Sequence, residues 1–332
     1  MSALVENRRP TIVARRQSPL SAVMAQGFPV SRRSFVIGGA SLLLPLGTPS
    51  FANTARNSVV LLGTKGGPTP SPYRAPASVL LVIEGRPYVV DTPNGVAGQL
   101  AKAGIKLTEI SQIFITHNHS DHVIDAGTLL VLAWGAGLNS AVDLHGPPPL
   151  QQIVRHSLAA SRFDLAARMR EESRGRLDPL VRVHERSSAG LVYEDPRVKV
   201  TSALVDHYTV KPAFAYRFDT AGRSIVVSGD TTYCPRLVEL ARGADLLIHE
   251  AMYLPGIDKL AGENAPRLRE HLLRSHSTTE QVGMVAAEAG VRKLVLSHLV
   301  PASPEITDEM WLEGVRKHFA GEAIVGRDLQ EV

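Results

Sequence analysis

The chain has 332 residues, of which 44% are hydrophobic and 20% are charged, a composition typical of globular proteins rather than of disordered or collagen-like ones. The single cysteine, Cys234, excludes an intrachain disulfide framework and a zinc site built from several cysteines. No apolar run reaches about 18 residues, so no segment has the pattern of a helix that spans a membrane in the mature protein.

The net charge of +4 is unevenly distributed along the chain. Residues 1–52 contain six arginines and one acidic residue, a net charge of +5, which leaves 30 basic and 31 acidic residues in the rest of the chain. A body with a net charge of −1 is not typical of general nucleic-acid-binding proteins, whose affinity depends on many contacts between Lys or Arg and phosphate.

The first 52 residues contain the three ordered parts of an export signal. The pair Arg32-Arg33 precedes an apolar stretch from Val36 to Leu46, and Ser50-Phe51-Ala52 forms a small-x-small cleavage site. This segment resembles a bacterial twin-arginine signal, which directs folded proteins to the twin-arginine export machinery. We therefore predict a cleaved signal peptide over residues 1–52 and a mature domain over residues 53–332, located in the periplasm or elsewhere outside the cytoplasm.

Apolar, β-rich runs alternate with helical patterns along the mature chain. Strands are predicted at Val59–Leu62, Val79–Glu84, Tyr88–Asp91, Ile113–Thr116, Val142–His145, Val198–Leu204, Ala213–Phe218, Ser224–Ser228, Leu246–His249 and Lys293–Ser297. Helices are predicted at Val96–Ala103, Asp125–Trp134, residues 150–176, Leu237–Arg242, Thr279–Ala289 and Asp308–Phe319. Residues 253–277 have no clear period and are predicted to form a loop over the site. The alternation favours a single αββα-layered domain.

The strongest chemical signal is the run from Thr116 to His122, Thr-His-Asn-His-Ser-Asp-His, which follows an apolar strand. Because alternate side chains at the end of a strand point the same way, His117 and His119 can hold one metal ion. The chain then turns into a helix, which moves Asp121 and His122 towards a second ion. Imidazole and carboxylate ligands favour Zn²⁺, with Mn²⁺ and Fe as alternatives.

Three further residues of ligand type follow predicted strands in the second half of the chain. They are His207, Asp230 and His298, and each comes directly after an apolar run. A metal site at one edge of a sheet sandwich requires this placement.

The His117-x-His119-x-Asp121-His122 motif and the three later residues resemble the dinuclear pattern of the metallo-β-lactamase superfamily over about residues 58–326. The resemblance implies an α/β (α+β) fold, a four-layer αββα metallo-β-lactamase sandwich in a single domain, with two Zn²⁺ ions. It further implies the following ligands: His117, His119 and His207 for the first ion, Asp121, His122 and His298 for the second, and Asp230 as the bridge between them.

Shorter segments are similar to ribonuclease Z and its arylsulfatase-like relatives: Leu62–Pro68, Ser228–Thr231, His249–Ala251 and Ser275–Thr278. In that branch, the histidine of the last segment lies near the metals and assists the reaction, which assigns this role to His276. Asp91, His249 and Glu250 are expected to orient the ligands, since metal-bound histidines usually have hydrogen-bond partners behind them.

The substrate is predicted from four observations. The segments His119–His122 and Leu129–Trp134 are more similar to exported arylsulfatase-type members than to tRNA-processing enzymes. The 23 positions between His207 and Asp230 leave no room for the tRNA-gripping arm that ribonuclease Z enzymes usually carry there. Together with the export signal and the charge of −1, these features predict an exported zinc hydrolase for a small anionic ester, either an aryl or alkyl sulfate or a phosphodiester, with no tRNA partner.

In this prediction, a metal-bridging hydroxide attacks the ester, Asp121 orients the hydroxide and His276 assists the leaving group. A ribonuclease Z-like nuclease, a lactonase and a β-lactamase are the enzymatic alternatives, and a metal-binding protein without turnover is the alternative from another class. The mature protein is expected to have no stable membrane insertion, and a homodimer is left open. The arginines of residues 155–176 either steer an anionic substrate or form a solvated face, which the interleaved acids favour.

Overall fold

The computed structural model describes residues 57–260 and 265–332. These residues form two seven-stranded sheets that pack face to face, with helices on both outer surfaces. The predicted signal peptide lies outside the described residues. None of the helices in the described ranges is long and apolar enough to cross a membrane.

The first sheet has the strand order β14-β1-β2-β3-β4-β5-β6. Its strands are β1 (Ser58–Gly63), β2 (Ser78–Ile83), β3 (Arg86–Val90), β4 (Gln112–Phe114), β5 (Val142–Gly146), β6 (Val181–Glu185) and β14 (Gln330–Glu331). Strands β3, β4, β5 and β6 are parallel. The loops that follow β3 and β4 therefore leave the same edge of this sheet.

The second sheet has the order β13-β12-β11-β10-β9-β8-β7. Its strands are β7 (Gly190–Glu194), β8 (Val198–Leu204), β9 (Phe214–Thr220), β10 (Ser224–Val227), β11 (Leu246–Met252), β12 (Lys293–Val300) and β13 (Glu322–Val325). Strands β10 to β13 are parallel, and β8 runs in the same direction because β9 is antiparallel to both β8 and β10. The ends of β8, β10 and β12 consequently meet at one edge.

Helices cover both outer faces of the two sheets. In chain order they are α1 (Val96–Lys102), α2 (Ser120–Val123), α3 (Ala126–Gly135), α4 (Leu150–Ala160), α5 (Arg162–Glu171), α6 (Pro235–Ala241), α7 (Leu254–Leu260), α8 (Ala265–Ser275), α9 (Thr279–Ala289) and α10 (Asp308–Arg316).

Three buried apolar clusters hold the layers together. Leu100 and Leu129 pack from helices onto the first sheet, and Val282 and Trp311 pack onto the second. Between the sheets, Phe114 and Leu81 of the first sheet lie in a third cluster with Phe218 and Ile248 of the facing sheet. Burial of one such side chain stabilises the fold by about 1.5–3 kcal/mol. The predicted four-layer αββα sandwich is confirmed.

The prediction of a loop over residues 253–277 is wrong, because α7 and α8 lie there. Both helices are short, at 7 and 11 residues, so neither gives a long periodic signal. Leu272 of α8 is buried with Met252, Ile257 and Val300, which shows that α8 is packed against the body of the domain.

The charged segment predicted as one helical stretch, residues 150–176, forms the two helices α4 and α5. Arg168 on α5 pairs with Asp164 and Glu172, one helical turn away on either side. These pairs are exposed and hence contribute little to stability, which supports the solvated-face interpretation of the segment.

Candidate metal centre

The histidine cluster lies in the connection between β4 and α2. Strand β4 ends at Phe114, so His117 and His119 are in a loop and not at the end of a strand as predicted. The Asn118 side chain fixes this loop by donating to the carbonyls of Pro147 and Pro148, at 3.1 Å each. The loop, rather than strand pleating, therefore directs the two histidines to the same side.

The second sheet delivers its residues at the common edge of β8, β10 and β12. His207 follows β8, and Asp230 follows β10. His298 does not follow a strand as predicted, because β12 continues to Val300. The register shifts between the pairs Glu250–Ser297 and Ala251–Leu299, which makes His298 the extra residue of a bulge, with φ 41°. Such a bulge redirects the side chain that it carries.

Glycine is required where the backbone passes close to this edge. Gly229, directly before Asp230, has φ 59°, and a Cβ atom there would lie 2.6 Å from the carbonyl oxygen of Phe214. A Cβ atom on Gly66 would lie 2.7 Å from Nδ1 of His298. Larger residues at either position would displace the strand ends that carry the candidate ligands.

The first group of side chains meets around Nδ1 of His119. The Nε2 atoms of His117 and His207 both lie 3.1 Å from that nitrogen. Two nitrogen ligands on a tetrahedral zinc ion are separated by about 3.3 Å, since each Zn–N bond is about 2.0–2.1 Å. One ligand atom of Asp230 joins these three within 4.8 Å. The four groups therefore have the spacing of a metal site.

The second group consists of Asp121, His122 and His298. The Nε2 atoms of the two histidines are 3.2 Å apart, and Oδ2 of Asp121 lies 3.5 Å from Nε2 of His298. Oδ2 of Asp230 is 3.4 Å from the Nε2 atoms of both histidines and 3.8 Å from that of His117. Asp230 thus stands between the two groups, and the structure brings all seven predicted ligands together.

Hydrogen bonds behind the rings leave lone pairs pointing into the site. Nδ1 of His122 lies 2.8 Å from a carboxylate oxygen of Asp91, and Nδ1 of His207 lies 2.8 Å from the carbonyl oxygen of Ser275. These acceptors favour a proton on Nδ1 and a free lone pair on Nε2. Facing lone pairs at such short distances repel each other unless a cation lies between them. The donor set therefore fits a divalent cation, and its nitrogen and carboxylate chemistry is consistent with zinc.

The pKa values of the three histidines in the first group and that of His122 are shifted in opposite directions. Burial lowers the pKa of His117 well below its ordinary value, lowers that of His119, and lowers that of His207 to about 4. Burial opposes protonation of His122 as well, but the carboxylates of Asp230 and Asp91 raise its pKa well above the ordinary value. Positive charge is favoured where the carboxylates converge, and either a proton or a metal ion can supply it.

Asp91 has the orienting position that the sequence predicts for it. Besides His122, its carboxylate accepts hydrogen bonds from the backbone N–H and the hydroxyl of Thr116, at 2.7 and 2.9 Å. Thr116 was not among the predicted site residues, although its place directly before His117 is a usable signal. The two residues form a buried support for the His122 ring.

The other two predicted orienting residues have different surroundings. Oε1 of Glu250 lies 3.1 Å from Nδ1 of His276 and accepts from the backbone N–H groups of Thr231 and Ser277. Glu250 therefore supports His276 rather than one of the seven ligands. His249 is fully buried, and its Nδ1 contacts the backbone oxygen of Glu250. Among the described residues, the His249 side chain has no hydrogen bond to any of the seven ligands.

His276 occupies the position predicted for an assisting residue. It lies between the end of α8 at Ser275 and the start of α9, where Thr278 and Gln281 form a capping box. Burial lowers the pKa of His276, but the Glu250 carboxylate outweighs this effect and raises it to about 9. The Glu250 carboxylate thus favours the protonated form of the ring, which can donate a proton.

An open cavity of about 590 Å³ lies in front of the two groups. His119, Asp121, Asp230, His276 and His298 line it, together with apolar residues of α8 and of the segment after β12. Lys65, which was not predicted as a site residue, also lines it and donates from Nζ to the carbonyls of Gly66 and Gly67, at 2.8 and 2.6 Å. This cavity is large enough for part of a substrate to reach the seven ligands.

Comparisons with known proteins support one family. Residues 86–299 match the model of the beta-lactamase superfamily domain. The chain is 35% identical over 277 residues to ribonuclease Z of Mycobacterium avium, and 32% identical over 279 residues to ribonuclease Z of Mycobacterium bovis. Each match covers 82% of this chain and 97% of the relative.

Solved structures share the fold at lower identity. The metallo-beta-lactamase fold protein YhfI from Bacillus subtilis has a TM-score of 0.63 and 18% identity, covering 83% of this chain and 98% of that protein. The short form of human tRNase Z has a TM-score of 0.59 and 23% identity, with the same coverage. At these identities, the similarity shows the fold alone.

The relatives overturn one prediction from the sequence. The prediction of an exported enzyme that acts on small anionic esters such as aryl sulfates is wrong, because the curated relatives are ribonuclease Z proteins. The short interval between His207 and Asp230 does not distinguish this chain from these relatives. Each match covers 97% of the relative, so little of its length remains for an additional tRNA-gripping arm. The chain belongs to the metallo-β-lactamase superfamily, and ribonuclease Z proteins are among its relatives.

Proposed function

We propose that this protein is a dinuclear zinc-dependent nuclease of the ribonuclease Z type, which hydrolyses phosphodiester bonds in RNA. One observation carries the proposal: a chain that is 35% identical to a ribonuclease Z along 97% of that relative also brings all seven candidate metal ligands together. A member of the family that had lost the activity but kept the fold would not need to retain this complete set of ligands.

In this proposal, the two groups of side chains hold one zinc ion each. His117, His119 and His207 would hold the first ion, Asp121, His122 and His298 would hold the second, and Asp230 would contribute to both. Bound zinc lowers the pKa of a coordinated water and neutralises negative charge on the phosphodiester. The Asp91 carboxylate keeps the proton of His122 on Nδ1, which leaves Nε2 free as a ligand atom.

The chain's own groups supply orientation and proton transfer. Asp121 lines the open cavity and carries a carboxylate that can accept a hydrogen bond from the attacking water. His276 holds Nδ1 against Glu250, so Nε2 is the nitrogen available to the cavity. With its pKa raised to about 9, His276 is protonated at neutral pH and can protonate the oxygen that leaves when the P–O bond breaks.

A basic helix beside the cavity supports the proposal that the substrate is RNA. On α8, Leu268 and Leu272 line the cavity, while Arg267, Arg269 and Arg274 are exposed and Glu270 is the one acid among the side chains described for this helix. Because the body of the chain is nearly neutral overall, phosphate contacts must come from a local surface of this kind. We expect α8 to contact the RNA backbone next to the cleaved bond.

The function is tested with zinc-loaded protein and a labelled tRNA precursor that carries extensions at both ends. Single-stranded RNA and DNA of matched length serve as alternative substrates. The Asp230→Asn variant, purified in the same way, controls for contaminating ribonucleases. We expect cleavage of RNA that requires zinc, stops with EDTA and is lost in the variant. A wild-type protein that binds zinc but cleaves no RNA would support the binding-protein alternative instead.

The role of α8 has its own matched test. Arg267→Glu should weaken RNA binding and make the dependence of affinity on salt less steep, because one phosphate contact is lost. Arg162→Glu on α5 makes the same change in net charge at another exposed arginine and should have little effect. Equal effects of the two substitutions would show that net charge, rather than α8, determines binding.

A further inference from the structure

A small cavity lies behind the metal centre, between the two sheets. Its volume is about 30 Å³, and its walls include Asp91 and His122 from the first sheet side and Asp230, Glu250 and Ser297 from the second. A cavity needs roughly 10–15 Å³ to hold a water molecule, whose share of liquid volume is about 30 Å³. The size of this cavity therefore corresponds to one water molecule.

Four residues that line this cavity carry a buried side-chain atom without a hydrogen-bond partner among the described residues, and three of these atoms are oxygens. These oxygens are Oδ1 of Asp230, Oε2 of Glu250 and Oγ of Ser297. Buried polar atoms without partners are costly, and most of them in folded proteins are paired with protein or with ordered water. Finding three such atoms around one cavity points to a shared ligand.

Other polar side chains of the cavity wall already have partners within the protein. The hydroxyl of Ser78 donates to backbone carbonyls of Val90 and Asp91, and that of Ser228 donates to the carbonyl of Gly229. His298 also lines the cavity, and the unpaired atom of its ring, Nδ1, lies close to Gly66, which is not part of the cavity wall. The unmet hydrogen bonds of the cavity thus come from Asp230, Glu250 and Ser297.

The chemistry of these three atoms matches a single water molecule. Water has two protons, and the two carboxylate oxygens can each accept one of them. The Ser297 hydroxyl can donate its proton to the water oxygen, which gives three hydrogen bonds in total, the usual number for a buried water. A neutral ligand also adds no charge to a region where the carboxylates already face the candidate metal ligands.

We propose that this cavity binds one water molecule that links the shared ligand Asp230 to Glu250, with Ser297 as its hydrogen-bond donor. Oδ2 of Asp230 faces the ligand histidines, and Oε1 of Glu250 faces His276. The water holds the other oxygen of each carboxylate and so couples the orientation of the metal-bridging residue to that of the residue supporting His276. Ser297 is a positioning residue, because it acts through this water.

The direct test is a crystal structure of the zinc-loaded protein at a resolution near 1.2 Å. We expect one density peak in the cavity, about 2.7–3.0 Å from each of the three atoms. An empty cavity, or rotation of Glu250 into a direct hydrogen bond with Ser297, would overturn the proposal. A peak with additional oxygen ligands at about 2.4 Å would indicate a bound cation and would also overturn it.

A variant pair tests the contribution of the water to stability in the metal-free protein. Ser297→Ala removes the proposed donor, and we expect the melting temperature to fall by about 2–4 °C. Thr92→Val is the matched control, because Oγ1 of Thr92 is likewise buried and unpaired but does not line the cavity. This control should leave the melting temperature unchanged or raise it. Equal effects of the two substitutions would contradict the role of Ser297.

Discussion

The histidines of this protein occupy two regions that treat their ring nitrogens differently. His145 and His184 stack at 4.8 Å on the first sheet, and each points an Nε2 atom at a protein acceptor, Gln112 at 3.0 Å and Asp143 at 2.7 Å. At the candidate metal centre, the inward ring nitrogens of five histidines face one another instead. Both regions are rich in histidine, but only the second leaves lone pairs unmatched by protein donors.

This difference shows why clustering alone is a poor criterion for a metal site. His145 and His184 neighbour Asp143, so they have the residue types of a metal site, yet the Nε2 atom of each ring already has an acceptor within the protein. At the centre, His122 and His207 have hydrogen-bond acceptors behind their rings, while the inward ring nitrogens of the five histidines face one another. Unmatched inward lone pairs, rather than proximity, distinguish a metal centre from histidine packing.

The largest expected effect comes from removing a carboxylate charge in each region. Asp230→Asn should lower RNA cleavage by roughly a thousandfold or more, because metal ions contribute several kcal/mol of charge stabilisation in the transition state. Asp143→Asn, which also changes a carboxylate beside histidine, should stay within about threefold of wild type, the scale of a change below 1 kcal/mol in the barrier. Initial rates with one RNA substrate measure both. Similar losses would remove the distinction between the regions.

A smaller effect is expected from the residue that orients His122. Asp91→Asn should weaken zinc affinity by about 10–100-fold, since hydrogen-bond partners behind metal-bound histidines have this effect. Competition with a chromophoric chelator gives the affinity, and Asp143→Asn again serves as the control. If the Asp91 variant bound zinc as tightly as wild type, His122 would not depend on this support.

The smallest effect concerns pH and the packing histidines. Burial, with the neighbouring His184, lowers the pKa of His145 to about 4. The unfolded chain therefore binds more protons than the folded chain below about pH 6.5, and stability falls as the pH decreases from there towards 4. Between pH 6.5 and 5.5, the loss should be about 1 kcal/mol. Denaturant unfolding of the metal-free protein and of His145→Asn measures the difference. An identical pH dependence in both proteins would refute this account of His145.

Much of the site could be predicted from the sequence because most of its residues come within a few positions after an apolar strand. The run from His117 to His122, and the positions of His207 and Asp230, follow from strand ends that share an edge. His298 could be singled out as a ligand, but not its bulge, because a one-residue register shift depends on pairing with β11. The loop that carries His117 and His119 could not be predicted either, because it depends on the hydrogen bonds from Asn118 to the distant residues Pro147 and Pro148.

Other parts of the fold gave weaker signals. Strands β6 and β7 have five residues each and no buried residue, so neither gives a long apolar run that stands out from the surrounding charged sequence. Helix α8 has the exposed arginines of a surface helix. Its apolar side is defined by the packing of Leu272 against Met252 and Val300, which the sequence alone does not show. The substrate was predicted incorrectly because the resemblance covered two branches whose ligand residues are shared.

The most direct test of the account is the number of zinc ions bound per chain. Metal analysis by mass spectrometry, after loading with zinc and exhaustive dialysis, should give two for wild type and two for His184→Asn. It should give fewer for His117→Asn and for His122→Asn. A wild-type protein without stoichiometric zinc, or a His184→Asn variant that loses as much zinc as the other two, would contradict the claim that the converging ring nitrogens form a metal centre.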